Sequence, residues 1–188
     1  ITDAWNTPFG APNGGYALAL MVRAAMDELE VGRPAALAIS YLSSPKPGME
    51  AAIRIRPIKL GNRVQTVDVL LEQQDKPVLH LVANFLRNHE GVSHELGAAP
   101  ELPAPESCLD PKTTGLTPPG IFDRLDQRWP AAPGWALGEP NGDPHAEIWL
   151  KLIDDQEIDW PALAMLCDAS PPPVLELGNH VSMTVQLT

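Results

Sequence analysis

The hydrophobic pattern of the first half predicts one long helix that is covered on most sides. Within NGGYALALMVRAAMDELE, the polar residues Arg23, Asp27 and Glu30 fall on one narrow stripe, and most other positions are apolar. A helix with so narrow a polar stripe is buried around most of its circumference. Gly14 and Gly15 lead into this helix.

Four strand-like segments follow this helix. They are AALAISYL, MEAAIRIRPIKL, RVQTVDVLLEQ and KPVLHLVANFLR, at residues 35–42, 49–60, 63–73 and 76–87. The last three alternate between apolar and polar residues, which is typical of strands with one buried face. Because LGNR and QQDKP between them are tight-turn sequences, we expect an antiparallel meander.

The second half repeats the beginning of this pattern after a long connection rich in Pro, Gly and Ala. A strand is predicted at 145–155, a covered helix at 159–170 and a strand at 180–188. The order strand, covered helix, strand indicates an internal duplication whose second copy is cut short.

A helix wrapped by a curved antiparallel sheet is a hotdog fold, so the sequence predicts an α+β double hotdog. The first hotdog is expected at residues 1–90, the connection at 91–143 and the truncated second hotdog at 144–188.

Composition excludes several classes of protein. A net charge of -11 and a pI near 4.7 argue against nucleic acid or an anionic membrane as the main partner. No apolar run approaches the roughly 18 residues of a membrane span. Cys108 and Cys167 lie far apart, which fits neither a disulfide framework nor a zinc site, and Cys167 is expected to pack inside its helix. A reducing, cytoplasmic location is therefore predicted.

Asp168 is the one charge in the otherwise apolar stretch between Asp159 and Glu176. A helix without a polar face is buried, and a buried carboxylate needs a partner or a function. We expect burial and the carboxyl-terminal end of the helix dipole to raise the pKa of Asp168. Such a carboxylate suits a general base that activates water. Alternatively, Asp168 reaches the surface at the helix end or caps a backbone amide.

A second candidate is the segment PNGG at residues 12–15. Free backbone N–H groups at the start of a helix can stabilise an oxyanion, helped by the helix dipole. The candidate oxyanion and substrate-binding residues are Asn13, Gly14, Gly15 and Tyr16. The competing interpretation is a Gly-rich turn that needs a positive φ.

The chain resembles the type II (TesB-like) acyl-CoA thioesterases. The resemblance rests on PNGGYALALMVRAA, LAISYLSSPKPG and RPIKLGNRVQTVDVLLEQQDKPV in the first half, and on FDRLDQRWP, PALAMLCDASPPPVLELG and VSMTVQLT in the second. It implies a catalytic set of Asp, a hydroxyl residue and Gln that holds and activates a water. The Asp corresponds to Asp168 and the hydroxyl to Thr184, although a small shift would favour Thr188. The Gln has no counterpart before the last residue.

The sequence therefore predicts an acyl-CoA thioesterase that acts through a water activated by Asp168 with Thr184. The implied partner is an acyl-CoA substrate, and no metal or organic cofactor is expected because a thioester is already an activated acyl group. Because hotdog units usually pair, we also expect a homo-oligomer. The alternative function is a non-catalytic hotdog protein that binds acyl-CoA or an acyl carrier. A dehydratase or hydratase is a third possibility, but no Asp/His pair supports it.

Overall fold

A computed structural model describes residues 1–87, 91–92, 94, 97–115, 120–154, 157–178 and 184–188. The described residues form two compact units. The first comprises Ile1–Val92, Glu157–Ala169 and Thr184–Thr188, and the second comprises Ser93–Gln156 and Ser170–Met183. In chain order the elements are α1 (Gly14–Leu29), β1 (Arg33–Tyr41), β2 (Ala52–Leu60), β3 (Val64–Gln73), β4 (Lys76–Leu86), β5 (Leu125–Arg128), β6 (Trp149–Leu152), α2 (Trp160–Leu166) and β7 (Gln186–Leu187).

Helix α1 is the centre of the first unit. It begins after Asn13, whose side-chain oxygen accepts a hydrogen bond from the Tyr16 amide at 2.9 Å, as an N-cap residue does. It ends at Leu29, and its C-cap Glu30 takes a left-handed conformation with a φ of 46°. The predicted polar stripe is exposed. The opposite face is buried through Gly15, Ala17, Leu18, Met21, Val22 and Ala25.

An antiparallel sheet with the strand order β2-β3-β4-β1-β7 packs against α1. The alternation read from the sequence matches its burial, because side chains of every second residue face the helix. The fully buried positions of β3 and β4 include Val67, Val69, Leu71, Leu79, Leu81, Ala83 and Phe85. The predicted helix-on-meander arrangement of the first half is therefore present.

Helix α2 and strand β7 join this same unit, although the sequence assigns them to a second copy. Strand β7 pairs with β1, and α2 packs against α1. The expectation that the second helix is buried all round is wrong. Only Pro161, Ala164 and Met165 of α2 are buried, whereas Leu163 is 47% exposed and the neighbouring Cys167 is exposed rather than packed. The reason is that α2 packs against α1 with one face, so the residues on its other faces stay exposed.

Asp159 caps α2, as the sequence predicts. Its side chain accepts a hydrogen bond from the Ala162 amide at 2.8 Å and forms an exposed ion pair with Arg23.

Replacing Asp159 with alanine should lower the free energy of unfolding by about 1 kcal/mol, because the amide loses its acceptor. Asp159→Asn is the matched control: it keeps the acceptor oxygen and loses only an exposed ion pair of small value. Urea unfolding of both variants measures the difference. An equal loss in the two variants would mean that the charge, and not the cap, stabilises this helix start.

The second unit holds the β5–β6 ribbon, in which Leu125 pairs with Leu152 and Arg128 with Trp149. In the described part of the predicted connection at 91–143, the structure has four 3-10 helices and strand β5. Strand β6 is shorter than the predicted strand at 145–155. Of the predicted strand at 180–188, only Gln186–Leu187 is a strand, and residues 180–183 lie outside the described residues. Within the described ranges, no helix has the length and apolar character needed to cross a bilayer.

Candidate functional site

Asp168 lies just beyond helix α2 and not in its last turn. The helix ends at Leu166, Cys167 is its C-cap, and the Asp168 amide turns back to donate to the carbonyl of Met165 at 3.2 Å. The prediction that Asp168 lies in the last turn of this helix is therefore wrong, because the residue follows the C-cap.

The carboxylate of Asp168 instead lies at the start of α1. Its Oδ2 accepts a hydrogen bond from the Gly15 amide at 3.0 Å, and its backbone carbonyl accepts one from Asn13 Nδ2 at 2.7 Å. Asn13 is thus both the N-cap of α1 and the link that holds the Asp168 backbone. The positive end of the α1 dipole favours an anion here, which is opposite to the influence expected from sequence.

Burial nevertheless raises the pKa of the Asp168 carboxyl, as predicted. Desolvation is the main cause, and the amide hydrogen bonds from Gly15 and Gly14 oppose it by stabilising the charged form. The group is therefore a partly buried carboxylate, held by two amides, whose affinity for a proton is greater than that of an ordinary aspartate. These are the properties of a base that can accept a proton from water.

Gly14 and Gly15 are required by close packing and not by a positive φ. A Cβ on Gly15 would lie 2.3 Å from the Met165 carbonyl oxygen, and one on Gly14 would lie 2.6 Å from Asp168 Oδ2. The interpretation as a turn with positive φ is therefore wrong for both residues, neither of which has one. The Gly15 amide is also not free, because it already donates to Asp168, so the predicted oxyanion donor is occupied in this structure.

Tyr41 is the residue that sequence reasoning missed. It ends β1, and its hydroxyl oxygen would lie 2.8 Å from a Cβ on Gly14, beside Asp168. Burial raises the pKa of the Tyr41 phenol, and the negative charge of Asp168 raises it further. The only signal in the sequence is an aromatic residue with a polar tip at the end of an apolar strand.

Two other predicted site residues are placed differently. The ring of Tyr16 stacks on Trp5 with 5.5 Å between ring centroids, and its hydroxyl accepts a long hydrogen bond from the Thr2 amide. Thr184 is exposed. The carbonyl of the next residue, Val185, accepts a hydrogen bond from the Tyr41 amide at 3.0 Å. Between the described residues Thr184 and Asp168, no hydrogen bond is formed. The site brought together is Asn13, Gly14, Gly15, Tyr41 and Asp168.

Across the described residues, no group of three or more His, Cys, Asp or Glu side chains is arranged to hold a metal ion. Two of the three basic side chains of β2 are paired with acidic neighbours. Arg54 forms an ion pair with Glu72, and Arg56 lies 3.1 Å from Asp68. The outer face of the sheet therefore carries balanced charge at these positions.

Comparison with protein families matches both halves of the chain. The model of the acyl-CoA thioesterase N-terminal domain matches residues 1–86, and that of the acyl-CoA thioesterase C-terminal domain matches residues 105–188. Asn13, Gly14, Gly15 and Tyr41 lie in the first match, whereas Asp168 and Thr184 lie in the second.

Solved structures are similar to this chain over most of its length. A hotdog-fold protein from Alicyclobacillus acidocaldarius superposes with a TM-score of 0.85 at 23% identity, covering 99% of this chain and 69% of that chain. An acyl-CoA thioesterase II from Mycobacterium marinum gives 0.62 at 19% identity, covering 82% and 58%. The predicted hotdog fold is thereby confirmed.

Among characterised sequences, the thioesterase-like protein TwmA of Talaromyces wortmannii is 27% identical over 190 residues. The match covers 85% of this chain and 54% of that protein, so the chain spans about half the length of this relative.

Proposed function

Because the chain belongs to the acyl-CoA thioesterase family, we propose that it hydrolyses acyl-CoA thioesters to the free acid and CoA. The observation that carries the proposal is the position of Asp168. Its carboxylate is half-buried, has a raised pKa and is held by the first amides of α1. No metal or organic cofactor enters the proposed reaction, since the thioester is already activated towards water.

In the proposed reaction, Asp168 takes a proton from a water molecule as the water oxygen adds to the thioester carbonyl carbon. The tetrahedral intermediate then collapses with cleavage of the C–S bond, and the proton on Asp168 passes to the departing sulfur. Thr184 orients the attacking water, a role that rests on the family resemblance. Both carboxylate oxygens of Asp168 are acceptors when ionised, so the water binds as a donor.

The predicted oxyanion role of the helix start fits this sequence of events in a modified form. While Asp168 is ionised, it holds the Gly15 amide. Once Asp168 has accepted the proton, its charge is lost and its hydrogen bond to that amide weakens. We propose that the Gly15 N–H then becomes available to the negative oxygen of the intermediate, which forms in the same step.

Thiol release from a series of acyl-CoAs, from acetyl-CoA to palmitoyl-CoA, tests the function. We expect release above the spontaneous rate with at least one member of the series. Binding of acyl-CoA without thiol release would instead support the alternative, a non-catalytic acyl-CoA-binding hotdog protein. Analytical ultracentrifugation of the same sample tests the predicted homo-oligomer separately.

A further inference from the structure

The hydroxyl of Tyr41 is a buried polar group without a hydrogen-bond partner among the described residues. Buried hydroxyl groups in proteins are almost always hydrogen-bonded, because leaving a donor unpaired away from water is unfavourable. The Tyr41 hydroxyl lies against Gly14, in the same small space as the Asp168 carboxylate.

The two oxygen atoms are close. A Cβ on Gly14 would lie 2.6 Å from Asp168 Oδ2 and 2.8 Å from the Tyr41 hydroxyl oxygen. The distance between the two oxygens therefore cannot exceed 5.4 Å, the sum of these distances. A hydrogen bond between them requires that one or both side chains rotate, and an ionised carboxylate can accept bonds besides the one from Gly15.

Other groups near the carboxylate cannot replace this donor. Helix α1 and its cap place the amides of Gly14 and Gly15 and the side chain of Asn13 there, but both amides already stabilise the carboxylate and Asn13 donates to the Asp168 backbone carbonyl. Helix α2 contributes the carbonyl of Met165, which is an acceptor. Among the described residues, Tyr41 is a titratable group whose pKa the charge of Asp168 raises.

We propose that Tyr41 is a positioning residue for Asp168, whose carboxylate accepts a hydrogen bond from the Tyr41 hydroxyl when the site is prepared for reaction. The inference rests on the proposed function, in which Asp168 is the base. The phenol remains protonated throughout the neutral range, because burial and the charge of Asp168 raise its pKa. It is therefore a donor at every pH at which Asp168 titrates.

Tyr41→Phe removes the donor and keeps the ring. Because the hydroxyl stabilises the ionised carboxylate, its loss should raise the pKa of Asp168. The base is active only when deprotonated, so the acid limb of kcat/KM against pH should move to higher pH, by about one unit. On the plateau we expect kcat to fall about tenfold with little change in KM, since the phenol is not assigned a contact with substrate.

Thr66→Val is the matched control, because it also deletes one hydroxyl from the sheet. Thr66 Oγ1 donates to Asn84 Oδ1 at 2.8 Å, and neither residue is part of the site. If the Tyr41 hydroxyl had no contact with Asp168, neither variant would move the acid limb. An unchanged limb in Tyr41→Phe would therefore overturn the proposal.

A direct titration separates this inference from the proposed function. The carboxyl ¹³C signal of Asp168, assigned by its absence in Asp168→Asn, is followed against pH by NMR in the parent and in Tyr41→Phe. We expect a higher midpoint in Tyr41→Phe. Equal midpoints would overturn the role of Tyr41 even if the protein is an active thioesterase. A shifted midpoint in a protein without thioesterase activity would keep the coupling and reject the function.

Discussion

Replacing Asp168 with asparagine is expected to lower kcat/KM for acyl-CoA hydrolysis at least about a hundredfold, the scale of a lost general base. Asparagine has nearly the same shape and keeps an oxygen that can accept the hydrogen bond from the Gly15 amide. The substitution therefore removes the basicity of the side chain and retains its main contact. A hundredfold loss corresponds to about 2.7 kcal/mol of transition-state stabilisation.

The control for this variant is Asp27→Asn. Asp27 lies on the exposed face of α1, so its replacement changes the net charge equally without touching the site. We expect the parent rate from this control and unfolding free energies within about 0.5 kcal/mol for exposed substitutions. Thiol release by the parent and both variants, measured over a range of substrate concentrations, gives the kcat/KM values that test whether Asp168 is the base. Equal kcat/KM in parent and Asp168→Asn would reject Asp168 as the base.

The sheet could be predicted because its evidence is local. Alternation with a period of two places Val67, Val69 and Leu71 on one face of β3, and all three are buried. By contrast, β5 is only four residues long, with the sequence LDQR, and exists because it pairs with β6. A short strand that depends on a distant partner has no periodic signal of its own.

The candidate site shows the same division between local and long-range information. The sequence predicts a raised pKa of Asp168 from burial and, although α2 is not buried on all sides as its apolar sequence suggests, burial does raise the pKa of Asp168. Its partner could not be predicted, because Gly15 lies 153 residues away in sequence. Tyr41 has no local signature for the same reason. A strand tyrosine becomes notable only when the fold places an unpaired hydroxyl beside a carboxylate.

Gly15→Ala is expected to have the second large effect, a loss of folding stability. The new Cβ would lie 2.3 Å from the Met165 carbonyl oxygen, which is backbone and cannot turn aside. Helices α1 and α2 must then separate, and we expect a loss of about 2–3 kcal/mol in the free energy of unfolding. Because Asp168 follows α2 directly, the same displacement should also carry its carboxylate away from the start of α1 and lower activity.

Gly14→Ala is the comparison for Gly15→Ala, because its new methyl group would contact side chains of the site and not a backbone carbonyl. Its Cβ would meet side-chain atoms, Asp168 Oδ2 at 2.6 Å and Tyr41 Cε1 at 2.7 Å, and these groups can rotate. We therefore expect a smaller loss of stability, about 1 kcal/mol, but at least about a tenfold fall in kcat, because both groups belong to the proposed catalytic arrangement.

Gly97→Ala is the reference for these two variants. No atom lies within 4 Å of its added Cβ, and its φ is not positive, so the change should stay within about 0.5 kcal/mol. Urea unfolding and thiol release, measured on all three variants, give stability and activity separately. If Gly15→Ala unfolds at the same urea concentration as Gly97→Ala, the close approach of α1 to the Met165 carbonyl does not exist. The position of Asp168 at the helix start, and the chemistry built on it, would then lose its structural basis.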